Sequence, residues 1–375
     1  MRILIAPQEF KGTLTAVEAA SAIASAIRRV VGSAELDIAP LSDGGPGFVS
    51  ALLDAVRGEP RDGRVQDPLG RPINARWGTI AQGKIAVLEM AAASGLSLLA
   101  ASERDPRQTT TFGTGELIRA ALDANCERIL LGIGGSATND GGAGAAQALG
   151  VKFLSGDGKP LPRGGAALAR LENIDLTGRD SRLNLVELLI AADVNNPLLG
   201  PTGASNIYGP QKGATPEIVR ELDRALARLA EVTRTLLRRD YSNVPGAGAA
   251  GGLAFGLMSF LGGQLKSGFE LVSEALHLQE RIDRAEVVIT GEGRLDRQSS
   301  YGKGPGSIAT LAKRKGKRTV IFAGKVDASF LPSDSPFDEV LEVSSHRVGV
   351  EPTSSTARAL LEAAVESWTQ KEIRQ

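Results

Sequence analysis

The stretch that decides the fold begins with Arg128-Ile-Leu-Leu-Gly-Ile133 and continues through Gly134-Gly-Ser-Ala-Thr-Asn-Asp-Gly-Gly-Ala-Gly144. Its first part is apolar almost throughout, which is typical of a parallel strand buried on both faces. Helical periodicity follows the glycines, so the stretch predicts a strand, a loop and a helix. Such a loop can turn its backbone N–H groups and a helix N-terminus toward phosphate oxygens.

The same alternation of apolar runs and helical periodicity recurs along the chain, which predicts an α/β protein with mainly parallel sheets. We predict strands at Arg2–Ala6, Leu36–Pro40, Arg128–Ile133, Glu187–Ala192, Glu286–Thr290, Arg318–Ala323 and Glu339–Val343. We predict helices at Ala16–Val31, Gly47–Val56, Gly115–Asn125, Gly142–Leu149, Pro216–Leu237, Gly306–Lys315 and Ser355–Lys371. Between them, an antiparallel hairpin is expected from Asn74–Ile80 and Lys84–Glu89.

The length of 375 residues predicts two or three domains. The most regular strand–helix pattern lies toward the two ends of the chain. We therefore expect two α/β domains, of which one is discontinuous and built from residues 1–64 and 285–375. The other is inserted between them at 65–284.

Composition excludes several classes of protein. The 43 basic and 43 acidic side chains cancel, so no net field favours nucleic acid. Cys126 is the only cysteine, which points to a reducing compartment, and we expect a cytoplasmic location. The uncharged run Tyr241–Leu265 is long enough to span a bilayer. However, Pro245 and the glycines after it favour a glycine-rich turn that leads into a short buried helix.

The segment Gly134–Gly144 is the first candidate site. We predict that it binds phosphate groups of a nucleotide through Gly134, Gly135, Ser136, Thr138, Asn139, Gly141 and Gly142. Asp140 is a candidate ligand for a divalent cation. The alternative is a tight structural turn in which Asp140 caps the following helix.

The segment Thr290-Gly-Glu-Gly-Arg-Leu-Asp296 is the second candidate site. We expect a strand that ends in a loop, and there Glu292 and Asp296 suit a magnesium ion held between protein and phosphate. Lys303, further along, is expected to pair with transferring phosphoryl oxygens. The alternative is a surface loop with solvated charges.

Other charged residues also follow predicted strands: Lys11 after the first, Asp43 after the second and Asp193 after a third. Familiar templates are absent, because every Gly-Lys pair lacks the Ser or Thr that a P-loop requires. Two alternatives to an enzyme that transfers phosphoryl groups stay open at this point. One is a non-catalytic, nucleotide-responsive binding protein. The other is a dinucleotide-dependent oxidoreductase, which the absence of Gly-x-Gly-x-x-Gly in Pro7–Gly12 disfavours.

Taken together, the motifs resemble the bacterial glycerate kinases of the glyoxylate and sugar-acid pathways. The resemblance rests, in family order, on Phe10-Lys-Gly-Thr-Leu-Thr15, Ser42-Asp-Gly-Gly45, Thr111-Phe-Gly-Thr-Gly-Glu-Leu-Ile118, Gly134–Gly144, Asp193-Val-Asn-Asn-Pro-Leu198, Tyr208-Gly-Pro-Gln-Lys-Gly-Ala214, Pro245-Gly-Ala-Gly-Ala-Ala-Gly-Gly252 and Thr290–Asp296. It implies ATP-dependent phosphorylation of D-glycerate with Mg²⁺, usually on the 2-hydroxyl to give 2-phosphoglycerate, with 3-phosphoglycerate as the alternative product. It also implies two α/β domains with the active site between them. One departure is Gln8-Glu9, where members often have Asp-Ser.

Chemistry then suggests roles for individual side chains. Lys11 or Arg294 is expected to clamp the glycerate carboxylate. The carboxylates compete for the general-base and magnesium roles, with Asp193 and Asp43 placed in catalysis and Asp140, Glu292 and Asp296 at the metal. The expected partner is D-glycerate alone, with no nucleic acid and no membrane. The sequence leaves the oligomeric state open, and a homodimer is one option.

Overall fold

A computed structural model describes residues 1–296, 304–328, 330, 335–343 and 353–374 of the chain. The chain divides into two compact units. Unit 1 contains Met1–Asp43, Ser50–Arg57 and Phe269–Gln375, and unit 2 contains Gly44–Val49 and Gly58–Gly268. The predicted domain boundaries, which concern independent folding, stay a prediction.

The regular elements alternate as the sequence pattern predicts. The strands are β1 (Arg2–Ile5), β2 (Glu35–Ile38), β3 (Glu59–Gln66), β4 (Pro72–Ile80), β5 (Ile85–Glu89), β6 (Arg128–Gly132), β7 (Lys152–Leu154), β8 (Asn173–Asp175), β9 (Glu187–Ala191), β10 (Gln264–Lys266), β11 (Val287–Leu295), β12 (Arg318–Val326) and β13 (Glu339–Glu342). The α-helices are α1 (Ala16–Val30), α2 (Phe48–Val56), α3 (Ala91–Ser94), α4 (Phe112–Asp123), α5 (Ala143–Ala148), α6 (Ala204–Tyr208), α7 (Pro216–Leu237), α8 (Ala249–Leu261), α9 (Gly268–Ala275), α10 (Leu278–Arg284), α11 (Gly304–Arg314) and α12 (Ser354–Arg374). Short 3-10 helices lie at Leu96–Leu98, Ala101–Glu103, Gly165–Arg170, Ser181–Asn184 and Pro210–Lys212.

Unit 1 is built on a parallel sheet, which within the described residues has the order β13-β12-β11-β1-β2. Helix α1 begins at a capping box, in which the Thr15 hydroxyl accepts from the Glu18 backbone N–H and the Glu18 carboxylate accepts from the Thr15 N–H. Its apolar face joins the strands and α12 in one core, where the rings of Phe322 and Trp368 meet edge to face at 6.1 Å.

Unit 2 is built on a mixed sheet, which within the described residues has the order β10-β9-β6-β5-β4-β3. The strands β10, β9, β6 and β5 are parallel, whereas β4 and β3 pair antiparallel. A separate antiparallel pair is formed by β7 and β8. The predicted hairpin of Asn74–Ile80 and Lys84–Glu89 is confirmed as the β4–β5 pair. The mostly parallel α/β class is likewise confirmed.

Two sequence-based expectations about secondary structure need correction. The predicted loop after Thr290 is wrong, because β11 continues to Leu295 and pairs with β12 as far as Val326. Glu292 and Arg294 therefore lie within a strand, two residues apart. Strand β3 was not predicted, because its polar sequence Glu-Pro-Arg-Asp-Gly-Arg-Val-Gln lies at the sheet edge with most side chains exposed.

The uncharged run Tyr241–Leu265 forms a glycine-rich turn followed by the buried helix α8, as predicted. Ala250, Gly251 and Gly252 all have left-handed backbone angles at its start. Across the described part of the chain, no helix combines the length and apolarity needed to cross a membrane.

Candidate active site

The C-terminal ends of the parallel strands in unit 2 lie in one row. The register aligns Glu89 of β5 with Gly132 of β6, Gly132 with Ala191 of β9, and Ala191 with Lys266 of β10. In open α/β sheets, ligands bind outside this carboxyl edge of the strands. A ligand site in unit 2 is therefore expected at the segments that follow these four residues.

Two of the predicted site segments leave this edge side by side. The chain after β6 passes through Gly134, Gly135 and Ser136, of which Gly135 is exposed and Ser136 retains 9% of its surface. The chain after β9 reaches Asp193, which is exposed. Because β6 and β9 are neighbours, the structure brings the first residues of the glycine-rich segment and Asp193 to the same edge.

Asp193 also has a structural bond. Its Oδ1 accepts a hydrogen bond of 2.8 Å from the backbone N–H of Gly268, the first residue of α9. This bond fixes the carboxylate beside the end of β10, near Lys266. An exposed carboxylate oriented in this way can serve as a base or a metal ligand at the strand ends.

A third segment, Gly44–Val49, crosses the same edge. Gly134 N donates to Gly44 O at 2.9 Å, and a Cβ added to Gly134 would lie 2.6 Å from Gly45 Cα. A Cβ on Gly132 would lie 2.6 Å from Gly44 O, and one on Gly44 would lie 2.7 Å from the Cβ of Ala191. Glycine is thus required where this backbone approaches the ends of β6 and β9.

The second half of the glycine-rich segment is buried. Thr138 and Asn139 have no exposed surface, Asp140 retains 1%, and Gly141 and Gly142 are also buried. In this arrangement these five residues present no surface to a ligand. Phosphate binding by them stays a prediction, and the contacts around them favour the alternative of a structural turn.

Asp140 is enclosed by hydrogen-bond donors from its own loop and from the start of α4. Its Oδ2 accepts from Thr111 N at 2.8 Å, from Thr111 Oγ1 at 2.9 Å and from Thr110 Oγ1 at 3.3 Å. Gly142 N donates to Oδ1 at 3.1 Å and Gly144 N to Oδ2 at 3.2 Å. Burial raises the pKa of Asp140, against the lowering effect of these donors. The Asp140 carboxylate therefore organises the loop and the first turn of α5. This role resembles the helix cap that was the alternative to a metal ligand, although the N-cap residue of α5 is Gly142.

A buried lysine completes this interior cluster. Lys212 retains 1% of its surface, and its Nζ donates to Thr138 O at 2.7 Å. Burial lowers the pKa of Lys212 to about 7, and attraction to Asp140 acts in the opposite direction. Asn139 Nδ2 donates to the buried Ser205 Oγ at 2.9 Å. The cluster therefore connects the loop to the segments around α6.

Gly141 and Gly142 are required by helix packing. Their φ angles are +60° and +76°. A Cβ on Gly141 would lie 2.3 Å from a methyl carbon of Leu229 in α7, and one on Gly142 would lie 2.9 Å from Gly256 Cα in α8. Close packing of this loop against α7 and α8 explains why both positions are glycine, without any ligand.

Unit 1 contains a second group of predicted site residues. Strands β1 and β11 are neighbours, so the loop after β1 lies against the far part of β11. A Cβ on Gly291 would lie 3.1 Å from the Phe10 ring, and one on Gly293 would lie 2.8 Å from Lys11 N. The structure thus brings the exposed Lys11 close to the strand that carries Glu292.

Charges in unit 1 interact with one another. Partial burial and then the Asp43 carboxylate raise the pKa of Glu9, whereas Lys11 lowers it, so these three side chains share one electrostatic environment. Arg294 forms an ion pair with Asp327, which raises the pKa of Arg294. This pair occupies part of the guanidinium that was predicted to clamp a carboxylate.

The predicted metal ligands do not form a closed cage. Among the described residues, no three or more His, Cys, Asp or Glu side chains converge to hold a metal ion. Glu292 and Asp296 offer the oxygen atoms that Mg²⁺ prefers. Lys303 lies outside the described residues.

Three residues of interest were missed from the sequence. Glu89 and Lys266 end strands, and a search for charged residues at every predicted strand end would have found Glu89. Lys266 follows a strand of only three residues, which gives no readable pattern. Lys212 appeared in a quoted motif, but nothing in the sequence indicates that it is buried.

Glycine-rich backbone and carboxylates at the ends of parallel strands are the features by which α/β phosphotransferases hold phosphate groups and their metal ions. Residues 3–371 match the family model described as "Glycerate kinase family". The chain belongs to that family.

Several known proteins are similar to this chain over most of its length. Glycerate 2-kinase of Escherichia coli K12 is 48% identical over 326 residues, which cover 87% of this chain and 86% of that protein. A glycerate kinase of Halalkalibacterium halodurans is 47% identical, with 88% and 86% covered. A crystal structure of a Salmonella typhimurium LT2 protein assigned as glycerate kinase 2 superposes with a TM-score of 0.90 at 42% identity, covering 100% of this chain and 98% of that one.

These findings confirm the resemblance stated from the motifs and the expectation of a phosphotransferase enzyme. The two alternatives, a non-catalytic binding protein and an oxidoreductase, are disfavoured. The individual site residues stay predictions.

Proposed function

We propose that this protein transfers the γ-phosphoryl group of ATP to D-glycerate and produces 2-phosphoglycerate. The observation that carries the proposal is the shared strand edge in unit 2, where Gly134–Ser136 and Asp193 leave two adjacent parallel strands. The 2-hydroxyl is chosen because a 48% identical relative is named glycerate 2-kinase.

In this proposal, phosphate oxygens contact the backbone N–H of Gly135 and the hydroxyl of Ser136, while Gly134, whose N–H already donates to Gly44 O, holds the turn in place. The contact is limited to these residues because Ser136 retains 9% of its surface, whereas Thr138, Asn139 and Asp140 retain at most 1%. Asp193 accepts the proton of the glycerate hydroxyl as it attacks, with Asp43 as the other candidate. A positioned general base contributes roughly 10²–10⁴-fold to the rate.

The carboxylate of glycerate needs a cation. Lys11 is favoured over Arg294, because Arg294 already pairs with Asp327 while Lys11 is exposed. Phosphoryl transfer asks little covalent chemistry of the protein, so positioning and charge neutralisation account for catalysis. The proposed reaction therefore needs no cysteine or histidine nucleophile.

Glu292 and Asp296 are proposed to hold Mg²⁺. A pair of carboxylates suits this ion, which commonly binds through one or two carboxylates plus phosphate oxygens. When bound, the ion neutralises charge on the phosphates. The protein is expected to lose activity in excess EDTA and to recover it when Mg²⁺ is restored.

A coupled assay of ADP release with D-glycerate tests the proposal, with L-glycerate and glycolate as comparison substrates. Phosphorus and proton NMR of the product then distinguish 2-phosphoglycerate from 3-phosphoglycerate. Absence of ADP release with every hydroxy acid would exclude the proposed reaction, and a 3-phosphoglycerate product would exclude only the 2-hydroxyl.

A further inference from the structure

Glu89 holds the segment that crosses the strand ends in unit 2. It ends β5, and its Oε2 accepts from Gly47 N at 3.0 Å and from Val49 N at 3.2 Å. Helix α2 begins at Phe48, so the carboxylate lies at the N-terminus of a nine-residue helix whose first turn has no acidic residue of its own. An anion is stabilised there by the helix dipole.

The other end of this segment contacts the glycine-rich loop. Gly44 and Gly45 lie against Gly132 and Gly134, and a Cβ on Gly135 would lie 3.0 Å from Pro46 Cγ. Gly44–Val49 therefore contacts the ends of β5, β6 and β9, which are three neighbouring strands. One short segment thus contacts Glu89 at Gly47 and Val49 and the glycine-rich loop at Gly44–Pro46.

The ionised carboxylate suits this role better than a neutral side chain. Converging N–H donors need an acceptor with several lone pairs, whereas a glutamine amide offers one oxygen and would turn its NH₂ toward other donors. Burial raises the pKa of Glu89, and the N–H groups of Val49, Gly47 and Phe48 lower it. Removing the charge should thus loosen the segment without deleting any packed atoms.

We propose that Glu89 is a positioning residue for phosphoryl transfer, which keeps Gly44–Val49, and through it Gly134 and Gly135, in the arrangement that binds the nucleotide phosphates. The inference rests on the proposed function. It goes beyond the proposed function in assigning a positioning task to a residue that the proposed reaction does not use.

The test compares Glu89→Gln with a matched control, Asp67→Asn. Asp67 is also a buried carboxylate, and its Oδ1 accepts from Leu69 N at 2.8 Å and from Arg71 N at 2.9 Å in the turn between β3 and β4. Both variants lose a charge that organises a backbone turn. Only Glu89→Gln affects the strand ends that we assign to the site.

We expect Glu89→Gln to raise the KM for ATP at least fivefold and the calorimetric Kd of a non-hydrolysable ATP analogue equally. Amide exchange at Gly47 and Val49 should be at least tenfold faster. Asp67→Asn should leave KM and Kd within twofold of the wild type. Partial unfolding lowers the apparent kcat but does not change KM, so it cannot imitate this result.

Unchanged KM and Kd in Glu89→Gln would overturn the inference, as would unchanged exchange at Gly47 and Val49. Equal changes of KM and Kd in Asp67→Asn would also overturn it, because the effect would then follow from the loss of any turn-organising carboxylate and would not be specific to Glu89. A wild type that binds the analogue but does not phosphorylate glycerate would refute the proposed function alone. The Kd comparison would still decide whether Glu89 organises the nucleotide site.

Discussion

The two halves of the glycine-rich segment differ in what their glycines do. Gly134–Ser136 lies at the strand ends, partly open to solvent, and packs against Gly44–Pro46 and against Ala91 and Leu96. Ala137–Gly144 is buried between α4, α7 and α8 around the Asp140 carboxylate. One continuous motif therefore combines a partly exposed surface that suits a ligand with a buried part that holds this surface in place.

The difference teaches that a run of glycines is not evidence for one continuous ligand cradle. Backbone N–H groups bind phosphate only where they face solvent, whereas those near Asp140 are already used by its carboxylate. Variants of the two halves should therefore differ: a change in the interior half should alter stability, and a change in the surface half should lower activity.

The largest effect is expected from Gly142→Ala. Its φ of +76° and a Cβ only 2.9 Å from Gly256 Cα combine backbone strain with a clash against backbone, so unfolding free energy should fall by about 3 kcal/mol. Gly158→Ala is the matched control, since Gly158 has φ +75° and nothing within 4 Å. That variant should lose about 1 kcal/mol. Urea unfolding of both measures the difference, and equal losses would contradict the packing role.

Asp193→Asn tests the surface half of the comparison. Turnover should fall at least about a hundredfold, because loss of a general base alone has this size of effect. Thermal stability should hardly change, since the amide oxygen of asparagine can still accept from Gly268 N. Asp175→Asn, which alters a carboxylate bonded to Thr177 N outside the site, is the control. Full activity of Asp193→Asn would remove Asp193 from the reaction.

The interior half should respond to pH through Lys212. Its pKa is about 7 in the folded protein and about 10.5 when unfolded, so the unfolded state binds more protons between these values. Stability should rise with pH across that window, by on the order of 1.4 kcal/mol per pH unit. The raised pKa of Asp140 acts with the opposite sign, from pH 3.8 upward. The difference between wild type and Lys212→Met isolates the lysine, and parallel stability curves would show that Lys212 stays charged.

The smallest effect is expected at Thr138, whose buried Oγ1 has no hydrogen-bond partner among the described residues. Thr138→Val keeps the shape and removes this hydroxyl, so stability should be unchanged or rise by about 1 kcal/mol, with the same nucleotide affinity. Ser136→Ala, two residues earlier in the surface half, should instead weaken nucleotide binding severalfold without destabilising the fold. Calorimetric titration with a non-hydrolysable ATP analogue and thermal unfolding of both variants measure these effects. Weaker nucleotide binding by Thr138→Val than by Ser136→Ala would contradict the division into two halves.

Much of the fold could be read from local pattern. Continuous apolar runs such as Ile129–Leu131 predicted the buried parallel strands, and α7 was predicted with its observed bounds because its 22 residues keep one strict helical period. Strand β3 escaped, because an edge strand needs no apolar face that a sequence pattern can reveal. The continuation of β11 through Gly291 and Gly293 was not predicted either. Glycine has a low strand propensity, and this part of β11 is stabilised by its pairing with β12.

The sequence by itself determined the family, the α/β class and the set of polar residues available for chemistry, because these depend on residue identity and local period. Only the tertiary structure decided which of those residues face solvent. Thr138 and Asp140 are as polar as the exposed Asp193, yet α7 and α8 cover the loop that carries them. Likewise, Glu89 becomes adjacent to Gly47 and Val49 only when β5 is placed in the sheet. Burial and register depend on contacts between distant segments, which no local pattern encodes.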